Sequence, residues 1–224
     1  QTLQELALFH RRQLSIPVLV ITGSNGKTTT KELCHAVLSR HHSTFATQGN
    51  LNNHIGVPLS LLRINASHTM AIIEMGANHQ GEIAAYCRMA LPTHGLITNC
   101  GKAHLEGFGG IEGVRKGKGE LYRFIRESNG CIFRNTDLPY LEDMAAGIIK
   151  QVTYGSQGNY KGSAGLSDEK AVLHMHTPGL ECTIVSHLVG QYNSANLLAA
   201  FAVGHTFNVS PADIQIALSS YEPG

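Results

Sequence analysis

Charge is scarce in this chain. Only 15% of its 224 residues are Asp, Glu, Lys or Arg, and the formal net charge is +1. That leaves no basic stripe for tracking a nucleic-acid backbone and no reason to expect an acidic partner. No apolar run is long enough to cross a membrane and no signal-peptide pattern is present, so a cytoplasmic protein without membrane contact is expected. The cysteines Cys34, Cys87, Cys100, Cys131 and Cys182 are odd in number, scattered and without a C-x-x-C pair. They read as reduced, mostly buried thiols rather than a disulfide framework. Thirteen histidines include no H-E-x-x-H and no paired Cys/His spacing, which argues against a structural zinc site. Repeats and low-complexity tracts are missing as well.

What is present is a core and one organising stretch. Apolar residues make up 42% of the chain, enough for one large domain or two small ones. Residues 16–21, apolar and β-branched, read as a buried strand, and residues 31–38 carry helical spacing. Between them lies Thr22-Gly23-Ser24-Asn25-Gly26-Lys27-Thr28-Thr29-Thr30. A strand, a glycine-containing turn and a helix in that order can cradle phosphate: the backbone N–H groups converge on the anion and the helix N-terminus adds partial positive charge. Lys27 can reach the outer phosphates and the Thr28 hydroxyl can ligate Mg²⁺. The longer phosphate-loop pattern would need glycine at Ile21, so only the short form Gly-x-x-Gly-Lys-Thr stands here. The competing reading is a plain βα turn with a surface lysine.

Downstream, strands are expected at 43–47, 70–74, 94–99 and 131–134, with helices at 81–90 and 111–126 and a short one ending at Leu62. This alternation predicts an α/β fold, a doubly wound and mostly parallel sheet, whose ligands bind beyond the carboxyl ends of the strands. The texture changes near Lys150. Residues 155–165 read as a Gly/Ser/Asn-rich stretch, and 171–177 and 181–185 as antiparallel strands joined at Pro178-Gly179. Helices follow at 193–202 and 211–219, the second with Ser210 as N-cap and Pro211 in the first position.

Glu74 at a strand end faces the phosphate-loop edge and is a candidate Mg²⁺ ligand, though a lone carboxylate there is often a helix cap. His104 follows the next strand in a Gly-flanked loop; a lone histidine is more often structural. Asn50, Asn52 and Asn53 suit Asx-turns or contacts to a polar ligand. The run Arg115-Lys116-Gly117-Lys118-Gly119-Glu120 reads first as a solvated basic face. Its two glycines cost a helix roughly 1 kcal/mol each, which close backbone approach to a neighbour would explain.

Taken together, TGSNGKTTT at 22–30, EMGA at 74–77, NCGKAHLEGFG at 99–109, KGEL at 118–121 and GQYNSANLLAA at 190–200 resemble the Mur ligases, ATP-dependent amide ligases of peptidoglycan precursor assembly. NLNNHIGVPLSLL and EMGANHQGEI are most similar to the members that join D-alanyl-D-alanine to UDP-N-acetylmuramoyl-tripeptide. The resemblance covers nearly the whole chain. It implies that ATP phosphorylates the tripeptide's terminal carboxylate and that the dipeptide amine attacks the acyl phosphate, releasing ADP and phosphate. Gly23, Ser24, Asn25, Gly26, Lys27, Thr28 and Thr29 would then hold ATP, with Asn193 and Asn196 at the adenine. Thr28 and Glu74 would hold one Mg²⁺ and His104 a second. Lys118, or Lys116 as runner-up, would carry a CO₂-derived carbamate that positions the second metal. Lys27, Lys118 and His104 would be catalytic, and Asn52 and Asn53 would face the UDP-sugar. Tyr192 stands where family members often have His. The resemblance also implies three domains: residues 1–15 as a linker helix from an N-terminal domain, 16–220 as the central ATP-binding domain, and 221–224 as the start of a linker to a C-terminal one. On that reading these residues act as a monomer and do not turn over alone. Folylpolyglutamate synthase, another Mur ligase and a non-catalytic nucleotide-binding module are the alternatives. Thr28-Thr29-Thr30 argues against the first, and the presence of Lys27, Glu74, His104 and Lys118 together argues against the last.

Overall fold

The computed structural model describes residues 2–101 and 105–223. Helix α1 (Thr2–Arg12) leads into β1 (Val18–Thr22), α2 (Lys27–Leu38), β2 (Thr44–Ala46), α3 (Gly56–Leu62), β3 (Met70–Glu74), α4 (Glu82–Ala90) and β4 (His94–Ile97). Then come α5 (Leu105–Phe108), α6 (Ile111–Glu127), β5 (Cys131–Asn135), α7 (Tyr140–Met144) and β6 (Lys150–Gly155). The C-terminal third holds β7 (Tyr160–Ser167), β8 (Lys170–Met175), β9 (Cys182–Val189), α8 (Asn193–Thr206) and α9 (Pro211–Ser220). The strands form one sheet in the order β2-β3-β1-β4-β5-β6-β7-β8-β9. Neighbouring strands run parallel from β2 through β7 and antiparallel from β7 to β9.

Every residue of β1 and β3 is buried, because helices cover both faces of the sheet. Successive side chains point to opposite faces. Val18 and Val20 therefore enter one core with Ile83, Val114 and Leu121, while Leu19 and Ile21 enter the other with Leu33, Val37 and Phe201. Helix α1 is fixed to this body by Arg11, 5% exposed, which donates to Ala90 O at 2.7 Å and Leu14 O at 2.6 Å. The segment read as a Gly-rich stretch contributes the end of β6 and most of β7. Six register pairs to β8 hold β7 in place, although its own residues are largely exposed. The expected hairpin between β8 and β9 is present, and Ser210 Oγ accepts from Asp213 N at the start of α9 as anticipated. All five cysteines are free, with Cys34, Cys87 and Cys100 buried. Among the described residues no helix is long and apolar enough to cross a membrane.

The topology fixes where ligands can go. From β1 the chain crosses by way of α2 to the β2 edge, whereas from β4 it crosses by way of α6 to β5 on the other side. The carboxyl ends of β1 and β4 thus border the crevice where the winding reverses, which is where open α/β sheets bind ligands.

Candidate active site

Loop 23–28 sits at that crevice. Gly23 has φ +145° and Gly26 φ +77°, conformations that side-chain-bearing residues rarely adopt. The loop is braced by the segment after β4. Thr98 Oγ1 donates to Asn25 O at 2.7 Å, Asn99 Nδ2 donates to Asn25 O at 3.0 Å, and Ser24 N donates to Asn99 O at 2.9 Å. Gly101 N donates to Ser24 Oγ at 3.0 Å. A side chain at Gly23 would run into Thr98 Oγ1. Lys27 starts α2 and donates from Nζ to Gly23 O at 2.8 Å and Ser24 O at 3.0 Å. Burial lowers its pKa, and the charge of Glu74 acts in the opposite direction.

Glu74 ends β3, 1% exposed. Its Oε1 accepts from Thr28 Oγ1 at 3.2 Å and from Asn52 Nδ2 at 2.8 Å. Its Oε2 is buried and has no hydrogen-bond partner among the described residues. A hydroxyl and a carboxylate with an unsatisfied oxygen form the hard-oxygen donor set that Mg²⁺ takes, a fit made by chemistry and not by a cluster of soft ligands. No group of three or more His, Cys, Asp or Glu lies together among the described residues. Asn52 is committed to Glu74, and Gly76 N donates to Asn52 O at 2.8 Å. Asn53 Oδ1 accepts from Ile55 N and Gly56 N at 3.0 and 2.9 Å, closing an Asx-turn at the entry to α3.

Lys118 lies on the buried face of α6, 2% exposed. Its Nζ donates to Ala77 O at 3.3 Å and stands 5.3 Å from the centre of the Phe108 ring. Burial, helped by the charge of Lys27, pushes its pKa down to about 8. Gly117 allows the close approach of α5: a Cβ there would meet the Phe108 ring. Glu120 accepts from Gly81 N and Ala84 N, so it holds the start of α4. Lys116, by contrast, is exposed. His104 lies outside the described residues.

Across the crevice, α8 begins with Asn193. Its Nδ2 donates to Val189 O at 2.9 Å, and its Oδ1 accepts from Asn196 Nδ2 at 2.8 Å. Asn196 Oδ1 accepts in turn from Thr30 Oγ1 at 3.1 Å, and a Cβ at Gly26 would lie 2.9 Å from it. The loop and these two asparagines border a cleft of about 700 Å³, which Thr29, Asn99, Asn135, Leu138 and Tyr192 also line. The structure therefore brings together Ser24 to Thr29, Asn193 and Asn196, and separately Thr28, Glu74 and Asn52. Four contributors were missed by sequence reasoning: Thr98 and Asn99, which brace the loop, and Asn135 and Leu138, which line the cleft. The available signal was their place at or just beyond the carboxyl ends of β4 and β5.

This arrangement defines a doubly wound α/β domain with a ligand crevice at its topological switch point. The chain belongs to the Mur ligase family, whose middle-domain model matches residues 21–204. It is 35% identical over 217 residues to the UDP-N-acetylmuramoyl-tripeptide–D-alanyl-D-alanine ligase of Bacillus subtilis, covering 97% of this chain and 47% of that protein. To the enzyme of the same name from Escherichia coli it is 37% identical, covering 96% and 49%. Among solved structures it resembles MurF from Acinetobacter baumannii with a TM-score of 0.91 at 33% identity, over 99% of this chain and 50% of that one. It also resembles a Thermotoga maritima MurF ligase in complex with ADP, with a TM-score of 0.86 at 28% identity, over 100% and 52%. The chain spans about half the length of the relatives it matches.

Proposed function

We propose that this chain is the ATP-binding middle domain of a ligase that joins D-alanyl-D-alanine to UDP-N-acetylmuramoyl-tripeptide in peptidoglycan precursor synthesis. The names of the relatives support the substrates, and the ADP complex of the Thermotoga relative supports the nucleotide. The observation that carries the chemistry is the contact between Thr28 Oγ1 and Glu74 Oε1 beside the glycine loop. Gly23 to Thr28 and Lys27 hold the β- and γ-phosphates, Thr29 lines the same cleft, and Asn193 with Asn196 faces the base. Thr28 and Glu74 supply oxygen donors to Mg²⁺, which when bound neutralises charge between the γ-phosphate and the attacking carboxylate. The substrate carboxylate attacks the γ-phosphorus and ADP leaves; the dipeptide amine then attacks the acyl carbon and phosphate leaves. What the residues supply is positioning and a fixed electrostatic field.

Lys118 is the proposed site of a carbamate. Its amine would bond to the carbon of CO₂ and lose a proton, and the product would offer a carboxylate toward a second Mg²⁺ together with His104. A depressed pKa favours the neutral amine that this addition needs. Asn52 acts through Glu74, and Asn53 stays a candidate for the UDP-sugar. The domain is proposed to work in the cytoplasm, as a monomer. The test is ADP release with ATP, Mg²⁺ and UDP-N-acetylmuramoyl-tripeptide, in a chain extended to the length of its relatives. D-Alanyl-D-alanine should support release and single amino acids should not. Release only with a diamino acid on the dipeptide precursor would assign a sister ligase. The 224 residues alone should bind nucleotide without sustained turnover.

A further inference from the structure

Lys31 has no solvent exposure, although lysine is among the residues least often buried. Its ammonium donates to Thr47 O at 2.7 Å, pairs with Glu32 Oε1 at 2.8 Å, and stands 3.8 Å from Glu74 Oε2. Thr28 and Lys31 are one helical turn apart on α2 and so share a face. That face presents a hydroxyl to one oxygen of Glu74 and an ammonium to the other. Asn52 holds Oε1 from a third side. Oε2 accepts no hydrogen bond, so the charge of Lys31 is what faces it. Thr47 O needs only a neutral donor and Glu32 is 37% exposed, so the buried carboxylate that the charge faces is Glu74.

We infer that Lys31 is a positioning residue that holds the Glu74 carboxylate in place for a divalent cation at Thr28. The inference rests on reading Glu74 as the Mg²⁺ carboxylate. Without the Lys31 charge, Lys27, which already feels the field of Glu74, would attract it. Glu74 would be drawn toward the phosphate lysine and away from the position beside Thr28. Lys31 touches neither phosphate nor metal in this scheme and acts through Glu74 alone.

The experiment uses this chain and two neutral variants. Lys31→Gln keeps a donor for Thr47 O and removes the charge; Lys31→Met removes both. ADP affinity is measured by calorimetry with Mg²⁺ and with EDTA, thermal melts report folding, and Mn²⁺ binding is followed by electron paramagnetic resonance. Both variants should lose about tenfold or more of the tightening that Mg²⁺ gives, as other groups orienting a metal ligand do. Affinity in EDTA should stay at the wild-type value, and Mn²⁺ should bind correspondingly more weakly. A role confined to structure would lower the melting temperature and leave the Mg²⁺ effect intact. If Lys31→Met does not fold, Lys31→Gln decides. Wild-type Mg²⁺ tightening in Lys31→Gln, alongside its loss in Glu74→Gln, would overturn the role of Lys31 and leave the metal site standing. Wild-type tightening in Glu74→Gln would overturn the metal site itself and the inference with it.

Discussion

In bicarbonate-free buffer without Mg²⁺, where Lys118 is a free amine, replacing it by Met should stabilise the protein at neutral pH, and the gain should vanish in alkali. The Lys118 ammonium is 2% exposed, with one long hydrogen bond to Ala77 O and the face of Phe108 for company. Burial first, and the charge of Lys27 second, hold its pKa at about 8 against an ordinary 10.5. While it stays protonated, that depression costs the fold about 3 kcal/mol. In the window between the two values the unfolded chain keeps a proton that the folded protein has released, so stability rises with pH there. Below about 8 both states hold the proton and the full penalty applies. Methionine carries no charge, and the lost hydrogen bond returns about 1 kcal/mol of the difference. Lys118→Met should therefore exceed wild type by about 2 kcal/mol at pH 7, and the difference should close below about pH 10.5 and then reverse by up to the roughly 1 kcal/mol of the hydrogen bond. Urea melts of both proteins across this range measure it. Tyr122 and Tyr154, whose burial raises their own pKa values, lower alkaline stability in both proteins and cancel in the difference. A gap that does not change with pH, or one that widens toward alkali, would refute the claim that a buried charge is the cost.

Three other outcomes test separate parts of the site and its scaffold. Gly23→Ala combines a positive φ with a collision against Thr98 Oγ1, and should cost about 2 kcal/mol or more in urea melts while abolishing ADP binding heat. Gly117→Ala drives a methyl into the Phe108 ring, whereas at Gly119 the nearest atom is the flexible Met144 methyl at 3.3 Å. The first should destabilise by about 1–3 kcal/mol and the second should be neutral or gain helix propensity, both read from melting curves. His94, packed against Phe133 and Phe207, has its pKa lowered to about 4 by burial first and by the charge of Lys150 second. The unfolded chain then binds a proton that the folded one refuses, so stability should fall from about pH 6.5 toward 4, by on the order of 2 kcal/mol given its partial exposure. A His94→Gln variant should show a flatter profile in that window.

In the parallel half, β1 and β3 were legible because they are buried on both faces and read as apolar runs, whereas β6, half-open to solvent over its first residues, was not anticipated. Residues 18–22 and 70–74 needed no partner to be recognised. The antiparallel extension was harder to read. Strand β7 has one face open to solvent and contains Gly162 and Gly165, so neither alternation nor β-propensity marks it; its stability comes from pairing with β8, a partner only the fold supplies. Helix α7, at five residues, is too short to show a period.

The site divides along the same line. Residues that act through their own backbone neighbourhood, Gly23 to Thr29, are contiguous and carry their signal in their spacing. Residues that act on one another across strands do not. Asn52 and Lys31 look like a loop amide and a helix-surface lysine, yet they approach the two oxygens of one carboxylate from β3, and Lys31 is fully buried. The physical reason is the parallel sheet itself. It delivers the ends of β1, β2 and β3 to one edge, so groups 16 to 46 positions apart in sequence become nearest neighbours. At such an edge a buried charge can gather partners from more than one element: Lys31 pairs with Glu32 on its own helix at 2.8 Å and stands 3.8 Å from Glu74 of β3. A lysine within an otherwise ordinary helical pattern, one turn beyond a proposed phosphate loop, therefore calls for a search of the neighbouring strand ends for a carboxylate that it faces.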